Sequence, residues 1–333
     1  MKAAVGFVLA AGLLSGCGPR EVRSVLVTTD IGTEVDDQWA LAHLLLADRD
    51  GVIDLCAIVT THAPNLPAPA SLASAREADR LVSTFGSRTP VIAGESSPVP
   101  PDRRPRGGAG AACIRDACRS HSPKNRLVVI SLGAATDIAE AILLDPGIAE
   151  RMEVVAMAFD SWPEGGDAWN VRNDPEAFRI ILGSAVPLTL GPARTCLGPL
   201  NIDMKTAAEL TRPGGARGAL LLSRLEEWLQ REMALSVRTT GDYAWPLWDL
   251  ITVAHVFGLT ETERRRRPRL RDDLSFDLSG TVYDMGWITH VDGKGLFDDL
   301  AARLAREPRS SLFLAPTPAP VSSSRPREKR KAE

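Results

Sequence analysis

Along this chain, short apolar runs alternate with stretches in which apolar residues return every three or four positions. The runs at residues 25–29, 55–61, 90–94, 127–132, 154–158 and 188–190 are rich in Val, Leu and Ile and too short for helices. They predict strands buried on both faces. Between them, residues 38–46, 71–85, 137–144 and 175–182 carry a helical period. In the first crossover Trp39, Leu41, Ala42 and Leu45 supply much of an apolar face, and Asp37 stands where a cap would. This alternation predicts an α/β fold, a Rossmann-like three-layer sandwich with a mostly parallel central sheet.

Residues 98–112 are rich in proline and glycine and predict a loop or lid. Beyond Asp203 the pattern changes. Residues 220–235 read as a helix, 246–257 as another after an aromatic loop, and 271–284 as a return to strands. Residues 301–306 end the folded part, without an internal repeat or linker before them.

Length and charge narrow the classes. The chain has 333 residues and a net charge of -3, which allows one large domain and implies no specific nucleic-acid surface. Lys2, an apolar run and small residues before Cys17 have the layout of a signal peptide over residues 1–16. The end Leu14-Ser15-Gly16-Cys17 resembles a bacterial lipoprotein signal. That resemblance implies a lipid on Cys17, a tether over 17–23 and residence at the bacterial cell envelope, periplasmic or on the cell surface. Contact with the membrane is then through this N-terminal lipid only. The folded domain spans 24–315, and residues 316–333, rich in Pro, Ser, Arg and Lys, predict a disordered basic tail. Cys113 and Cys118 could pair in an oxidising compartment, whereas Cys56 and Cys196 read as core thiols. No cysteine or histidine spacing suggests zinc.

The chemistry gathers at VLVTTDIGTEVDD, residues 25–37. Asp30, Asp36 and Asp37 follow a strand at its exit. Three carboxylates in a poorly solvated cleft repel one another, and a hard divalent cation would remove that penalty. A solvated acidic turn that caps the next helix is the plainer alternative. Open parallel sheets bind ligands beyond the C-terminal ends of their strands. Asn65 and Thr136 follow two other strands at such ends. Neither the dinucleotide nor the P-loop glycine spacing occurs.

Six segments in order carry a wider resemblance: Asp30 to Asp37, TTHAPN at 60–65, PVIAG at 90–94, GAATD at 133–137, WNVRNDPEA at 169–177, and Trp248-Asp249. In these residues the chain resembles the inosine-uridine-preferring nucleoside hydrolase superfamily over roughly 24–256, and more weakly to about 305. The longer Asp-Ile-Gly loop looks most like a divergent branch of bacterial and fungal nucleoside-hydrolase-like proteins. The resemblance implies the nucleoside hydrolase fold. It also implies a Ca²⁺ held by Asp30, Asp37, the backbone carbonyl of Thr136 and Asp249. Asp36 and Asn170 would contact ribose hydroxyls, with Asn65 near the sugar as well. The implied reaction is hydrolysis of the N-glycosidic bond of a small-molecule nucleoside or related N-riboside, with Asp30 as general base and a metal-bound water as nucleophile. Family members are commonly homo-oligomers, but no segment here specifies an interface.

Departures from the family pattern matter. Trp248 stands where the family has the histidine that assists the leaving base, Ala168 where it has a ribose-binding glutamate, and Trp169 where it has phenylalanine. Tryptophan cannot perform that proton transfer, although it can stack on a base or sugar. Two other readings therefore stay open: a catalytically impaired, lipid-tethered carbohydrate- or nucleoside-binding protein, and a hydrolase of another ribosyl compound. His62, near Asn65, is a candidate for the missing acid or for orienting a carboxylate at the substrate. Trp39, Trp162, Trp169, Trp245 and Trp248 predict an aromatic mouth, with ordinary helix burial the plainer reading of Trp39. His43 reads as a helix residue facing solvent or the core. His255 and His290 have no clear chemical neighbour.

Overall fold

A computed structural model describes residues 22–166 and 169–306. The expected signal segment, Cys17, Ala168 and the expected basic tail lie outside the described residues, as does the end of the domain beyond 306. The strands are β1 (Arg23–Thr29), β2 (Ile53–Thr60), β3 (Val91–Ala93), β4 (Leu127–Ser131), β5 (Met152–Met157), β6 (Leu188–Gly191), β7 (Asn201–Asp203), β8 (Ala244–Pro246), β9 (Thr260–Arg266), β10 (Arg269–Leu270), β11 (Phe276–Asp277) and β12 (Asp284–Val291). The α-helices are α1 (Asp36–Arg49), α2 (Ala70–Phe85), α3 (Ala109–Cys118), α4 (Thr136–Leu144), α5 (Trp169–Asn173), α6 (Pro175–Gly183), α7 (Ala193–Cys196), α8 (Met204–Thr211), α9 (Gly215–Arg231), α10 (Met233–Thr240), α11 (Leu250–Val256) and α12 (Gly293–Leu304).

One sheet of eight strands runs in the order β3-β2-β1-β4-β5-β6-β12-β9. Seven of its strands are parallel, and β9 closes one edge antiparallel to β12. Successive strand residues point to opposite faces, so β1 feeds two cores. Val25 and Val27 join Trp39 and Leu41 of α1, Leu81 of α2, Ile251 of α11 and Leu300 of α12 on one side. Leu26 joins Ile114 of α3, Ile138 of α4 and Phe178 of α6 on the other. The result is the expected three-layer α/β sandwich. Parallel strands finish on the same rim, so the loops after β1, β2, β4 and β5 converge there.

Several expected elements differ. Helix α1 begins at Asp36 with Val35 as its N-cap and no side-chain cap bond. Asp37 is therefore a first-turn residue, not a cap. Residues 109–112 of the expected loop belong to α3. The remainder is tied down through Arg106, whose guanidinium meets Glu140 at 2.8 Å and Glu95 at 3.0 Å. The span 220–235 is two helices, and Pro246 lies in β8 ahead of the later helix. Within 271–284 the only complete strand is the two-residue β11, paired with β10 just ahead of the span, while the long strands β9 and β12 fall outside or at the end of it. An edge strand exposed on both faces has no apolar alternation, and β9 reads Thr-Glu-Thr-Glu-Arg-Arg-Arg. Cys113 and Cys118 are both free thiols. Five residues apart on one helix they point away from each other, which rules out pairing. No helix among the described residues is long and apolar enough to cross a membrane.

Candidate active site and metal centre

The site grows from the end of β1. Thr29 closes the strand and Asp30 follows it. The chain reverses through Gly32 at φ +103°, a conformation that favours glycine, and enters α1 at Asp36. Asp36 and Asp37 thus occupy the first turn of a helix, where unpaired N–H groups and the helix dipole favour negative charge. The Thr29 hydroxyl donates to Asp37. From the far end of the chain, Asp249 arrives at the N-cap position of α11 but makes no side-chain cap bond. Its backbone N–H donates to Asp36 Oδ2 at 3.3 Å, across 213 residues of sequence. Carboxylate oxygens of Asp36, Asp37 and Asp249 lie within 4.8 Å of one another, and all three residues are buried.

Burial dominates the electrostatics. It pushes Asp30 up to about 7, the bond from Trp169 opposes the rise, and the charge of Asp36 adds to it. Burial also lifts Asp36 to about 6, against bonds from backbone N–H groups. Asp37 and Asp249 are pushed well above the usual carboxylate range, first by burial and then by the neighbouring aspartates. Glu34 is raised in the same way, with the Trp245 indole pulling back. The donors to this group are neutral: Thr29 to Asp37, the Asp249 backbone to Asp36, and Trp169 and Thr33 to Asp30. Clustered oxygen donors, buried and in excess of positive charge, suit a hard divalent cation. The three-aspartate cluster can coordinate one.

A cavity of about 390 Å³ opens over the cluster. Asp30, Asp36, Asp37 and Asp249 line it together with Asn170, Trp169, Trp245 and Trp248. Asn170 Nδ2 donates to the carbonyls of Leu132 at 2.6 Å and Met157 at 3.1 Å. Both amide hydrogens are therefore used, and its oxygen is the atom left for a ligand. Trp169 Nε1 donates to Asp30 Oδ2 at 3.2 Å, and Arg172 stacks over the Trp169 ring at 5.3 Å.

Other expected site residues fall elsewhere. Asp30 shares the cavity but stands outside the tight three-aspartate group, which takes in Asp36 instead. Thr136 does not line the cavity. It is the first residue of α4, so its carbonyl is directed along the helix, and its hydroxyl donates to Asp174 at 2.6 Å. His62 meets the Thr136 hydroxyl at 3.0 Å, is absent from the cavity lining, and has its pKa lowered by burial. Neither proton donation to a substrate nor orientation of a cluster carboxylate fits that position. Asn65 is exposed, with Nδ2 donating to the Thr33 carbonyl at 3.4 Å, and is also absent from the lining. Of the five tryptophans, Trp39 is core and Trp162 packs on Phe276 and Trp287, leaving three at the mouth. His43 is buried in α1 and bonds Asp299 at 2.7 Å.

Sequence reasoning missed Leu132, Glu34 and Arg172, all on the wall. Leu132 directly follows β4, so the strand end was the available signal; Glu34 lay inside the acidic loop itself.

Comparisons with known proteins give the family and the fold. The family model described as inosine-uridine preferring nucleoside hydrolase matches residues 25–284. A plant nucleoside hydrolase, PpNRh1, is 18% identical with a TM-score of 0.69, over 86% of this chain and 99% of that one. A purine-preferring ribonucleoside hydrolase from Gardnerella vaginalis is 18% identical with a TM-score of 0.68, over 85% and 98%. The type III effector protein XopQ, solved with adenosine diphosphate ribose, is 14% identical with a TM-score of 0.61, over 86% and 94%. These likenesses show a shared fold. No curated protein matches. With most of its length matched by one family model and its acidic rim built on that family's architecture, the chain belongs to the inosine-uridine preferring nucleoside hydrolase family.

Proposed function

We propose that this protein hydrolyses the N-glycosidic bond of a nucleoside or related N-riboside, using Ca²⁺ in the aspartate cluster. The observation that carries the reading is the convergence of Asp36 and Asp37 with Asp249. Asp37 and Asp249 would hold the ion, with Asp36 shared between it and the sugar. A bound cation supplies an oriented, acidified water and a clamp for the ribose diol.

The chain's own groups do the rest. Asp30 Oδ2 is engaged by Trp169 and Thr33, which leaves Oδ1 to take a proton from the attacking water. The Asn170 oxygen accepts from a ribose hydroxyl. Bond cleavage passes through an oxocarbenium-like state, and the surrounding carboxylates favour its positive charge. Trp245 and Trp248 offer apolar faces to the aglycone.

The test is release of reducing sugar from a nucleoside panel with and without chelator, repeated with Asp30→Ala and Asp249→Ala. Turnover that survives chelation and both substitutions overturns the reading. Trp248, where the family has its leaving-group histidine, favours a second possibility: a binding protein without turnover. Tight ligand binding with no product across the panel would select it. A hydrolase of another ribosyl compound would instead show turnover confined to that compound.

On sequence grounds alone, we place the protein at the bacterial cell envelope, anchored by lipid on Cys17. Incorporation of labelled palmitate, lost in Cys17→Ala, tests that placement.

A further inference from the structure

Among the described residues, the lining of the cavity over the aspartates contains no histidine, lysine, tyrosine or cysteine. A neutral nitrogen base leaves C1′ as an anion unless an acid of that kind protonates it. The lining residues that remain are otherwise occupied. Arg172 keeps its protons and already lies over the Trp169 ring at 5.3 Å. Asp160 is paired with Arg194 at 3.0 Å, and the Glu34 carboxyl is set against the Trp245 indole. Asp30, Asp36, Asp37 and Asp249 serve water, sugar and cation in the hydrolase reading, on which this inference rests.

What the lining offers an aglycone is aromatic surface and negative charge. Trp245 and Trp248 stand three residues apart, and Trp248 directly precedes Asp249 of the cluster. The Trp245 ring is buried against Trp228, with ring centres 5.2 Å apart. Trp248 is half-buried. Around them Asp30, Glu34, Asp36, Asp37, Asp160 and Asp249 outnumber the single arginine of the described lining, even when a divalent ion is counted. Tryptophan faces attract cations, and more strongly where water is excluded.

A positively charged aglycone meets both conditions, because it needs no acid and suits an acidic, aromatic wall. We propose that the site takes an N-riboside whose aglycone is an aromatic ring cation joined to C1′ through its charged nitrogen, a pyridinium riboside. When the C1′–N bond breaks, its electron pair returns to the ring nitrogen, and the base leaves as a neutral pyridine. Water forms the new C1′–O bond and gives one proton to Asp30 Oδ1. The positive charge moves from the ring to the sugar, beside the carboxylates that favour it.

The experiment compares nicotinamide riboside, nitrophenyl riboside and inosine on the calcium-supplemented protein, reading KM and kcat separately. Nitrophenyl riboside has a good leaving group without the charge, so it separates charge from reactivity. Nicotinamide riboside should have a KM about tenfold lower than nitrophenyl riboside, and inosine a kcat about a hundredfold lower than either. Trp248→Leu should raise the KM of nicotinamide riboside by about tenfold and that of nitrophenyl riboside by less than about threefold. Trp248→Phe, which keeps an aromatic face, should restore most of the difference. Equal KM values for the two good leaving groups, equal shifts in Trp248→Leu, or cleavage of inosine but not of nicotinamide riboside overturn the proposal and leave the hydrolase reading standing. If none of the three is cleaved, the hydrolase reading fails. Calorimetry then decides the pocket: nicotinamide riboside binding about tenfold tighter than inosine, lost in Trp248→Leu, upholds it, and equal affinities or no binding overturn it.

Discussion

Gly133 passes so close to Asp30 that a methyl group on its α-carbon would stand 2.7 Å from Oδ1 and 2.8 Å from the backbone nitrogen. The contact follows from the sheet. β1 and β4 are parallel neighbours, so the chain leaving β4 runs beside the acidic loop leaving β1. Gly133→Ala should push Asp30 off its position and press on the Thr61 methyl group, which would stand 2.9 Å away. We expect kcat/KM to fall by about two orders of magnitude, the cost of misplacing a reacting group by roughly an ångström. Steady-state kinetics beside circular dichroism would check this; unchanged kinetics would remove Asp30 from the reaction.

Asp249→Asn should act in opposite directions with and without metal. It removes one of several buried, mutually repelling carboxylates, so the metal-free variant should melt higher than metal-free wild type. Calcium at about a hundred times its Kd should stabilise wild type by about 2.7 kcal/mol and the variant by much less. Melting curves across a calcium titration would show the two proteins changing order.

Trp248→His should favour difficult leaving groups alone. An imidazole can protonate a departing base, and an indole cannot. Inosine turnover should rise by at least tenfold, while nitrophenyl riboside, whose leaving group needs no proton, should not gain. Parallel gains on both substrates would mean that the change acts through the shape of the mouth.

Asp137 makes a prediction about pH. Burial pushes its carboxyl up from 3.8 to about 7, although N–H of Glu95 donates to both of its oxygens at 3.2 Å. The charges of Glu95 and Glu140 add to the rise, and Arg106 opposes it. Folding therefore favours the protonated acid. Its stabilising effect is complete below pH 3.8, the unfolded value, and is lost as pH rises through about 7. Asp137→Asn should match wild type near about pH 3 and be more stable above pH 7, by an amount on the order of a few kcal/mol. Denaturant unfolding at both pH values measures the difference.

The order of residues alone carried the sandwich. Strands buried on both faces must be almost continuously apolar, which made β1, β2, β4 and β5 readable to within a residue or two. The acidic loop was readable because Asp30, Asp36 and Asp37 are close in sequence. β9 escaped because an edge strand between waters needs no apolar side, and its seven residues are polar throughout. Thr136 lies just inside α4 and outside the cavity lining, a placement set where the strand exit becomes a helix. His62 sits on a loop whose path was unconstrained by periodicity, and its ring meets Thr136 instead of lining the cavity. Periodicity is a local property, so sequence determined which segments become strands and helices and on which rim their loops emerge. Tertiary structure alone decided that Asp249 meets Asp36 across 213 residues, because only burial of two apolar cores holds like charges that close together.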